Sequence, residues 1–260
     1  MKQPVIIIGM GEMGDLFARG FLKLGHPVYP VLRGMDLAAK ASVLPEPELV
    51  IVAVGEDDLA DCLAAMPDIW KKRLALLQNE LLPPDWQRLG VIDPTVIVVW
   101  FDKKKGRPFV NVLPTPIGGP GASLVRQALL AIDVPCHEIP ATEILYELAR
   151  KNLYILTINI AGLTLHPGAT VSALWADHRA IVEAVSHEIL DIQDWLSQTR
   201  LPRERLLAGM LEGFEGDPDH VCTGRTAPKR LRRAIAQANQ AGIEIPVLRG
   251  IAESLSIALS

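Results

Sequence analysis

Val5-Ile6-Ile7-Ile8-Gly9-Met10-Gly11-Glu12-Met13-Gly14 is the stretch on which the fold of this sequence turns. Four β-branched residues in a row read as a strand buried on both faces, as in a parallel sheet. The run stops at Gly9, and Asp15 to Leu24 follows with Leu16, Phe17, Gly20, Phe21 and Leu24 on one helical face, closed by Gly25. Between strand and helix lies a G-x-G-x-x-G. That pattern is weak alone, but here it follows a strand, opens a helix and begins a βαβ unit, the context that gives it meaning. The first glycine permits a tight turn, the second lets backbone approach a pyrophosphate, and the third lets helix and strand pack closely. Backbone N–H groups at the start of the helix would meet the phosphates. Gly9, Met10, Gly11, Glu12, Met13 and Gly14 are therefore the candidate dinucleotide-binding residues; the bland alternative is a strand–turn–helix with chance glycines.

Downstream, Val28 to Leu32, Leu49 to Val54, Leu74 to Leu77, Val96 to Phe101, Phe109 to Leu113 and Val134 to Ile139 read as further strands, with helices at Asp57 to Met66 and Ser123 to Ala131. Asp102 to Arg107 reads as an exposed turn, and Lys103-Lys104-Lys105 as its solvated tip. Beyond Pro140 the pattern is helical. Ala141 to Leu165 is broken by His166-Pro167-Gly168, a single amphipathic helix is predicted through Leu174, Ile181, Val185, Ile189, Ile192 and Leu196, and helices are predicted at Leu231 to Ala241 and Val247 to Leu259. The expected class is α/β, with a Rossmann-type dinucleotide-binding domain over residues 1–139 and an all-α domain over 140–260.

The end of the second predicted strand should report the nucleotide. An acid there suits the ribose hydroxyls of NAD, an arginine the 2′-phosphate of NADP. Arg33 follows Val31-Leu32, and its planar fork matches a phosphate. NADP is the expected cofactor, with Asp36 left as an alternative ribose contact and a solvated arginine as the bland reading of Arg33.

The 260 residues are 49% hydrophobic and 22% charged, with a net charge of −4. This composition excludes a mainly disordered chain. The absence of basic excess and an aromatic content of 5% argue against nucleic-acid binding by phosphate neutralisation or base stacking. Cys62, Cys136 and Cys222 form neither a disulfide framework nor a zinc pattern, which fits a reducing cytoplasm. No apolar run is long enough to span a membrane. The expected partner is a small molecule, neither nucleic acid nor membrane. The apolar helical half fits pairing with a second copy as well as packing within one chain.

With the βαβ unit and the helical half in place, the chain resembles the ketopantoate reductase (2-dehydropantoate 2-reductase) family. The likeness rests on the glycine motif, Arg33, Leu77-Gln78-Asn79, Pro116-Ile117-Gly118 as a loop before a helix, Glu147-Leu148-Ala149-Arg150-Lys151, and Ala241-Gly242-Ile243-Glu244-Ile245-Pro246. It implies a Rossmann domain joined to a helical domain of the 6-phosphogluconate dehydrogenase C-terminal-like type, reducing a 2-oxo acid with NADPH. It also implies Lys151 as the general acid and Asn159 as a substrate contact. Three positions depart from the family. Glu80 stands in place of a glycine, Ile155 in place of an asparagine, and Thr226 where ungapped counting would put a glutamate.

Each candidate has a plainer reading. Lys151 could be a surface helix lysine, Asn79 a turn residue rather than a nicotinamide-ribose or substrate contact, and Asn159 a buried structural amide. His220 and Arg225 are candidates for anchoring a substrate carboxylate, against a polar loop over Glu215 to Arg225. That Asp/His mixture lacks a second cluster, so no metal site is expected. His178 and His187 read as ordinary helix residues. The departures motivate a rival to the NADPH-dependent reductase, a non-catalytic NADP(H)-binding sensor. An imine reductase or a 3-hydroxy acid dehydrogenase shares the glycine motif and stays open beside it.

Overall fold

The computed structural model describes residues 2–103, 106 and 108–257. It divides into two compact units, Met1–Leu148 and Ala149–Ser260.

The first unit opens with β1 (Val5–Ile8), α1 (Glu12–Lys23), β2 (Val28–Val31), α2 (Leu37–Val43) and β3 (Leu49–Val52). It continues with α3 (Leu59–Ala64), α4 (Asp68–Lys71), β4 (Leu74–Leu76), α5 (Pro83–Gln87), β5 (Thr95–Ile97), β6 (Phe101–Asp102), β7 (Val110–Asn111), β8 (Thr115–Gly118), α6 (Ala122–Leu130) and β9 (Cys136–Glu138). The main sheet runs β2-β1-β3-β4-β5-β8-β9. Its first five strands are mutually parallel; β8 is antiparallel to β5, and β9 is parallel to β8. This is the α/β Rossmann-type arrangement that the glycine motif announced.

β1 and β3 are interior strands whose residues are all buried. Val5, Ile7, Leu49 and Ile51 join one core with Leu16, Phe17 and Phe21 of α1 and Val125 and Leu129 of α6. Alternate residues of a strand point to the opposite face. There Ile6, Val50, Val52, Leu74 and Leu76 are also buried, so both faces of the sheet are covered. β2 is an edge strand with two exposed residues, and the edge tolerates Pro30, which lacks an N–H for the ladder.

Several expectations change. The strand predicted over Val96 to Phe101 is two: β5 in the main sheet, and β6, which pairs with β7 in a separate ribbon. Pro116-Ile117-Gly118, expected as a loop, is part of β8 and fully buried. Proline and glycine disguise that strand, yet the carbonyl of Pro116 still accepts from the Val98 amide at 2.9 Å. The short helices α2, α4 and α5 carry too few residues for a helical period to be read. Lys104 and Lys105 of the expected tip lie outside the described residues.

α7 (Ile144–Gly162) contains the boundary between the units. The second unit continues with α8 (Val171–Asp177), α9 (Arg179–Ser197), α10 (Arg203–Gly216), α11 (Ala227–Ala241) and α12 (Pro246–Ser254), and is helical as expected. α9 packs Val182, Val185, Ile189 and Ile192 inward; Leu231, Ile235 and Ala238 of α11 and Leu248 and Ile251 of α12 are buried too. The single helix predicted through Leu174 to Leu196 is broken at His178, whose φ of −131° and ψ of 31° leave the helical region. Leu174 belongs to a separate helix that happens to continue the apolar spacing. α10 was not legible, because Gly209, Gly213 and Gly216 read as helix breakers. Gly209 and Gly213 are buried along with Leu206, Met210 and Phe214. The end of the predicted last helix, at Leu259, lies outside the described residues.

Candidate functional site

In an open parallel sheet, ligands gather beyond the carboxyl ends of the strands, where the strand order reverses. β1 lies between β2 and β3, so the reversal falls at β1 and β3. The glycine loop begins there. Gly9 has a φ of 92°, and a Cβ on it would stand 2.6 Å from the carbonyl oxygen of Ala53, just past β3. A Cβ on Gly14 would stand 2.0 Å from the carbonyl oxygen of Gly9. Neither position has room for a side chain. The loop is pressed against the strand ends, and its outer side is left to backbone.

α1 starts earlier than predicted, at Glu12, with Gly11 as its N-cap and no side-chain cap. The amide of Asp15 makes a helical bond to the carbonyl of Gly11 at 2.9 Å. The amides of Glu12, Met13 and Gly14 precede it, in the first turn whose N–H groups have no intrahelical acceptor. Together with the helix dipole they form an anion-binding end. Met10 is 36% exposed. Glu12 and Asp15 put two carboxylates in the same turn. Asp15 pairs with Arg19, and Glu12 pairs with Lys103 at 3.0 Å. Lys103 is therefore not a solvated tip, since its side chain is only 11% exposed.

Arg33 lies on the turn after β2 and is 88% exposed, its guanidinium 2.7 Å from a carboxylate oxygen of Asp58. Asp36, the alternative ribose contact, is the N-cap of α2, where Oδ1 accepts from the amides of Ala38 and Ala39 at 2.8 and 3.2 Å. Asn79 sits half-buried on a turn beyond β4. The neighbouring Gln78 is buried; its side-chain amide donates to the carbonyls of Val52 and Val54 at 2.6 and 3.2 Å and so ties the end of β4 to the end of β3. Glu80, where the resemblance expects glycine, has a φ of 60°. The backbone there keeps the left-handed conformation that glycine adopts freely.

In the second unit, Lys151, Ile155 and Asn159 follow at four-residue intervals on α7 and share one face. Lys151 is half-buried, with Nζ 5.7 Å from the ring centroid of Tyr154. Ile155 is half-buried as well. Asn159 is 5% exposed. Its Nδ2 donates to the carbonyl of Cys222 at 3.0 Å, and its Oδ1 accepts from the buried guanidinium of Arg230 at 2.7 Å.

The segment expected as a loop over Glu215 to Arg225 is partly the end of α10. Beyond it, Cys222 bonds through its amide to the carbonyl of Ala169, and Val221 bridges Thr170. His220 lies 3.3 Å from Asp217 through Nδ1, and Arg225 is exposed on the turn before α11. Asn159 and the segment carrying His220 and Arg225 thus meet at Cys222. The contacts that Gln78, Lys103 and Arg230 make are not legible in the sequence. Nothing in residue spacing marks a contact made across 24, 91 or 71 positions.

The three cysteines are free. Burial, with Asp58 nearby, pushes the Cys62 thiol up to about 11. Burial pushes Cys222 up to about 11 and raises Cys136 as well. Among the described residues no group of three or more His, Cys, Asp or Glu is placed to hold a metal, and no helix is long and apolar enough to cross a membrane. A separate groove of about 970 Å³, lined by Glu48, Asp68, Arg73, Thr95 and Gly121 among others, lies at the amino ends of the parallel strands, away from the glycine loop.

The chain has the fold of the ketopantoate reductases. A PanE/ApbA family ketopantoate reductase from Ralstonia eutropha superposes with a TM-score of 0.66 at 17% identity, over 98% of this chain and 97% of that one. A dimeric ketopantoate reductase from Staphylococcus aureus gives 0.61 at 16% identity, over 97% of each chain. A D-mandelate dehydrogenase in complex with NADH gives 0.65 at 14% identity, over 99% of this chain and all of that one. No family model matches the sequence, and no curated protein matches it.

Proposed function

We propose that the chain is an NADPH-dependent oxidoreductase that reduces a small 2-oxo acid or a related ketone. The observation that carries this reading is the seating of Gly9 and Gly14, where a Cβ would collide with backbone at 2.6 and 2.0 Å. That packing leaves a bare backbone cradle at the start of α1, which fits a pyrophosphate. The fold shared with ketopantoate reductases and with an NADH-bound D-mandelate dehydrogenase supports the same reading.

NADPH, when bound, supplies a hydride to the substrate carbonyl carbon. The amides from Met10 to Gly14 hold its pyrophosphate. Arg33 grips the 2′-phosphate and shares its guanidinium with Asp58. Exposed ion pairs contribute about 0–1 kcal/mol, so sharing costs little. Asn79 contacts the nicotinamide ribose or the substrate. Lys151 holds the substrate oxygen and delivers a proton to it as negative charge develops. Asn159 orders the segment that carries His220 and Arg225, and these two anchor the substrate carboxylate. Pairing of two copies in the cytoplasm belongs to the same proposal; the dimeric reductase from Staphylococcus aureus supports the pairing.

A second reading is a non-catalytic NADP(H) sensor. It is favoured by the half-buried Ile155 one turn from Lys151, and by the engagement of both ends of the Asn159 amide within its own unit. Steady-state oxidation of NADPH with ketopantoate and other 2-oxo acids separates the two. The reductase reading expects turnover, and a fall in kcat of about 10²–10⁴-fold in Lys151→Ala with NADPH affinity retained. Near wild-type turnover by that variant would remove Lys151 from the chemistry. NADPH binding without turnover of any ketone would favour the sensor.

A further inference from the structure

The glycine loop contains a charge that works against a phosphate. Glu12 sits in the first turn of α1, among the amides that would face a pyrophosphate. A carboxylate there suits the helix dipole but repels a phosphate anion a few ångströms away. The second acid of that turn, Asp15, is paired within the helix to Arg19, and both side chains are about half exposed or more. Glu12 has no such local partner. Its cation arrives from 91 residues away, as Lys103 at the end of β6, 3.0 Å from the carboxylate.

The placement of Lys103 is built rather than incidental. Phe101 is 6% exposed and belongs to the core of the first unit, with its ring 6.1 Å from that of Phe109. Phe101 pairs with Asn111 and Asp102 with Val110, and the amide of Val112 donates to the carbonyl of Trp100 at 2.8 Å. Lys103 follows directly on this anchored ribbon. Its side chain is 11% exposed against 38% for Glu12, so water and salt screen the pair less than an open surface pair.

We propose that Lys103 is the charge-compensating residue of the dinucleotide site. By neutralising Glu12 it lets the first turn of α1 accept a pyrophosphate, and so acts on cofactor affinity through Glu12. This rests on the dinucleotide-binding reading above and adds to it a positioning residue on the β6–β7 ribbon.

The test is a double-mutant cycle read as the Kd for NADPH of the full-length protein, with Lys103→Met, Glu12→Gln, the double variant and Lys103→Arg. Lys103→Met should weaken binding about tenfold, as an uncompensated carboxylate near the phosphates would. Glu12→Gln should bind as tightly as wild type or more tightly, and Lys103→Arg, which keeps the charge, should stay close to wild type. In the double variant the loss should vanish, because the charge that Lys103 answers is gone; a circular dichroism spectrum and thermal midpoint of Lys103→Met close to wild type show that the single variant folds. Wild-type affinity in Lys103→Met would overturn the proposal. So would an equal loss from Lys103→Met in the Glu12→Gln background, which would make the lysine act independently of Glu12. Failure of wild type itself to bind NADPH would instead bring down the dinucleotide reading on which the proposal stands.

Discussion

Gly14 stands in the first turn of α1, against the carbonyl of Gly9. The motif demands a residue without a side chain where helix and strand pack closest, and a Cβ there would lie 2.0 Å from a carbonyl oxygen. Gly14→Ala must push α1 off the end of β1, and is expected to abolish NADPH binding in a titration while the protein stays folded by circular dichroism. Wild-type affinity in that variant would contradict the seating described. Other residues show how far a sequence can be read. Arg33 was legible because a strand end fixes its place, but its partner Asp58 was not. Asp36 was legible as an acid near a strand end, not as the cap of a seven-residue helix. Lys103 looked like part of a basic run and is an almost buried half of an ion pair. Glu80 breaks the resemblance in chemistry yet keeps the backbone angle, with φ at 60°; such a conformation costs a non-glycine residue about 1 kcal/mol or more.

Among the elements, those with a clear period were legible and those held by tertiary contacts were not. β1 and β3 announce themselves as uninterrupted β-branched or aliphatic runs. β8, with Pro116 and Gly118, is a strand because neighbours on both sides pair with it. α10 is a helix despite its glycines because Leu206, Met210 and Phe214 bury one face. α12 shows how a distant residue can start a helix. Pro246 occupies its first turn without an N–H to satisfy, and the next two amides, of Val247 and Leu248, donate to the two carboxylate oxygens of Glu188 at 2.8 and 2.9 Å. Glu188, on α9, is only 8% exposed. Glu188→Ala leaves those amides without an acceptor in a buried setting and should destabilise the protein by about 2 kcal/mol. For a chain of this length that lowers the thermal midpoint by roughly 4–8 °C. Glu188→Gln keeps one acceptor oxygen and should lose less. Equal midpoints for all three proteins would show that α12 is held by its apolar face alone.

For the molecule as a whole, the division into an α/β half and a helical half was legible because alternating strand and helix patterns give way to helical ones. The glycine loop stands at the carboxyl end of β1, beside the end of β3. The helical unit was less legible in detail, because its order depends on contacts such as Asn159 with Cys222 and Arg230, which join three separate stretches of chain. The NADPH-dependent reductase proposed above stands or falls on nucleotide binding. Calorimetric titration of NADPH and of NADH into the purified protein, repeated with ketopantoate present, tests it most directly. Saturable binding of NADPH is expected, with weaker binding of NADH because Arg33 has no 2′-phosphate to hold, and tighter NADPH binding when the 2-oxo acid is present. Folded protein that binds neither nucleotide would contradict it.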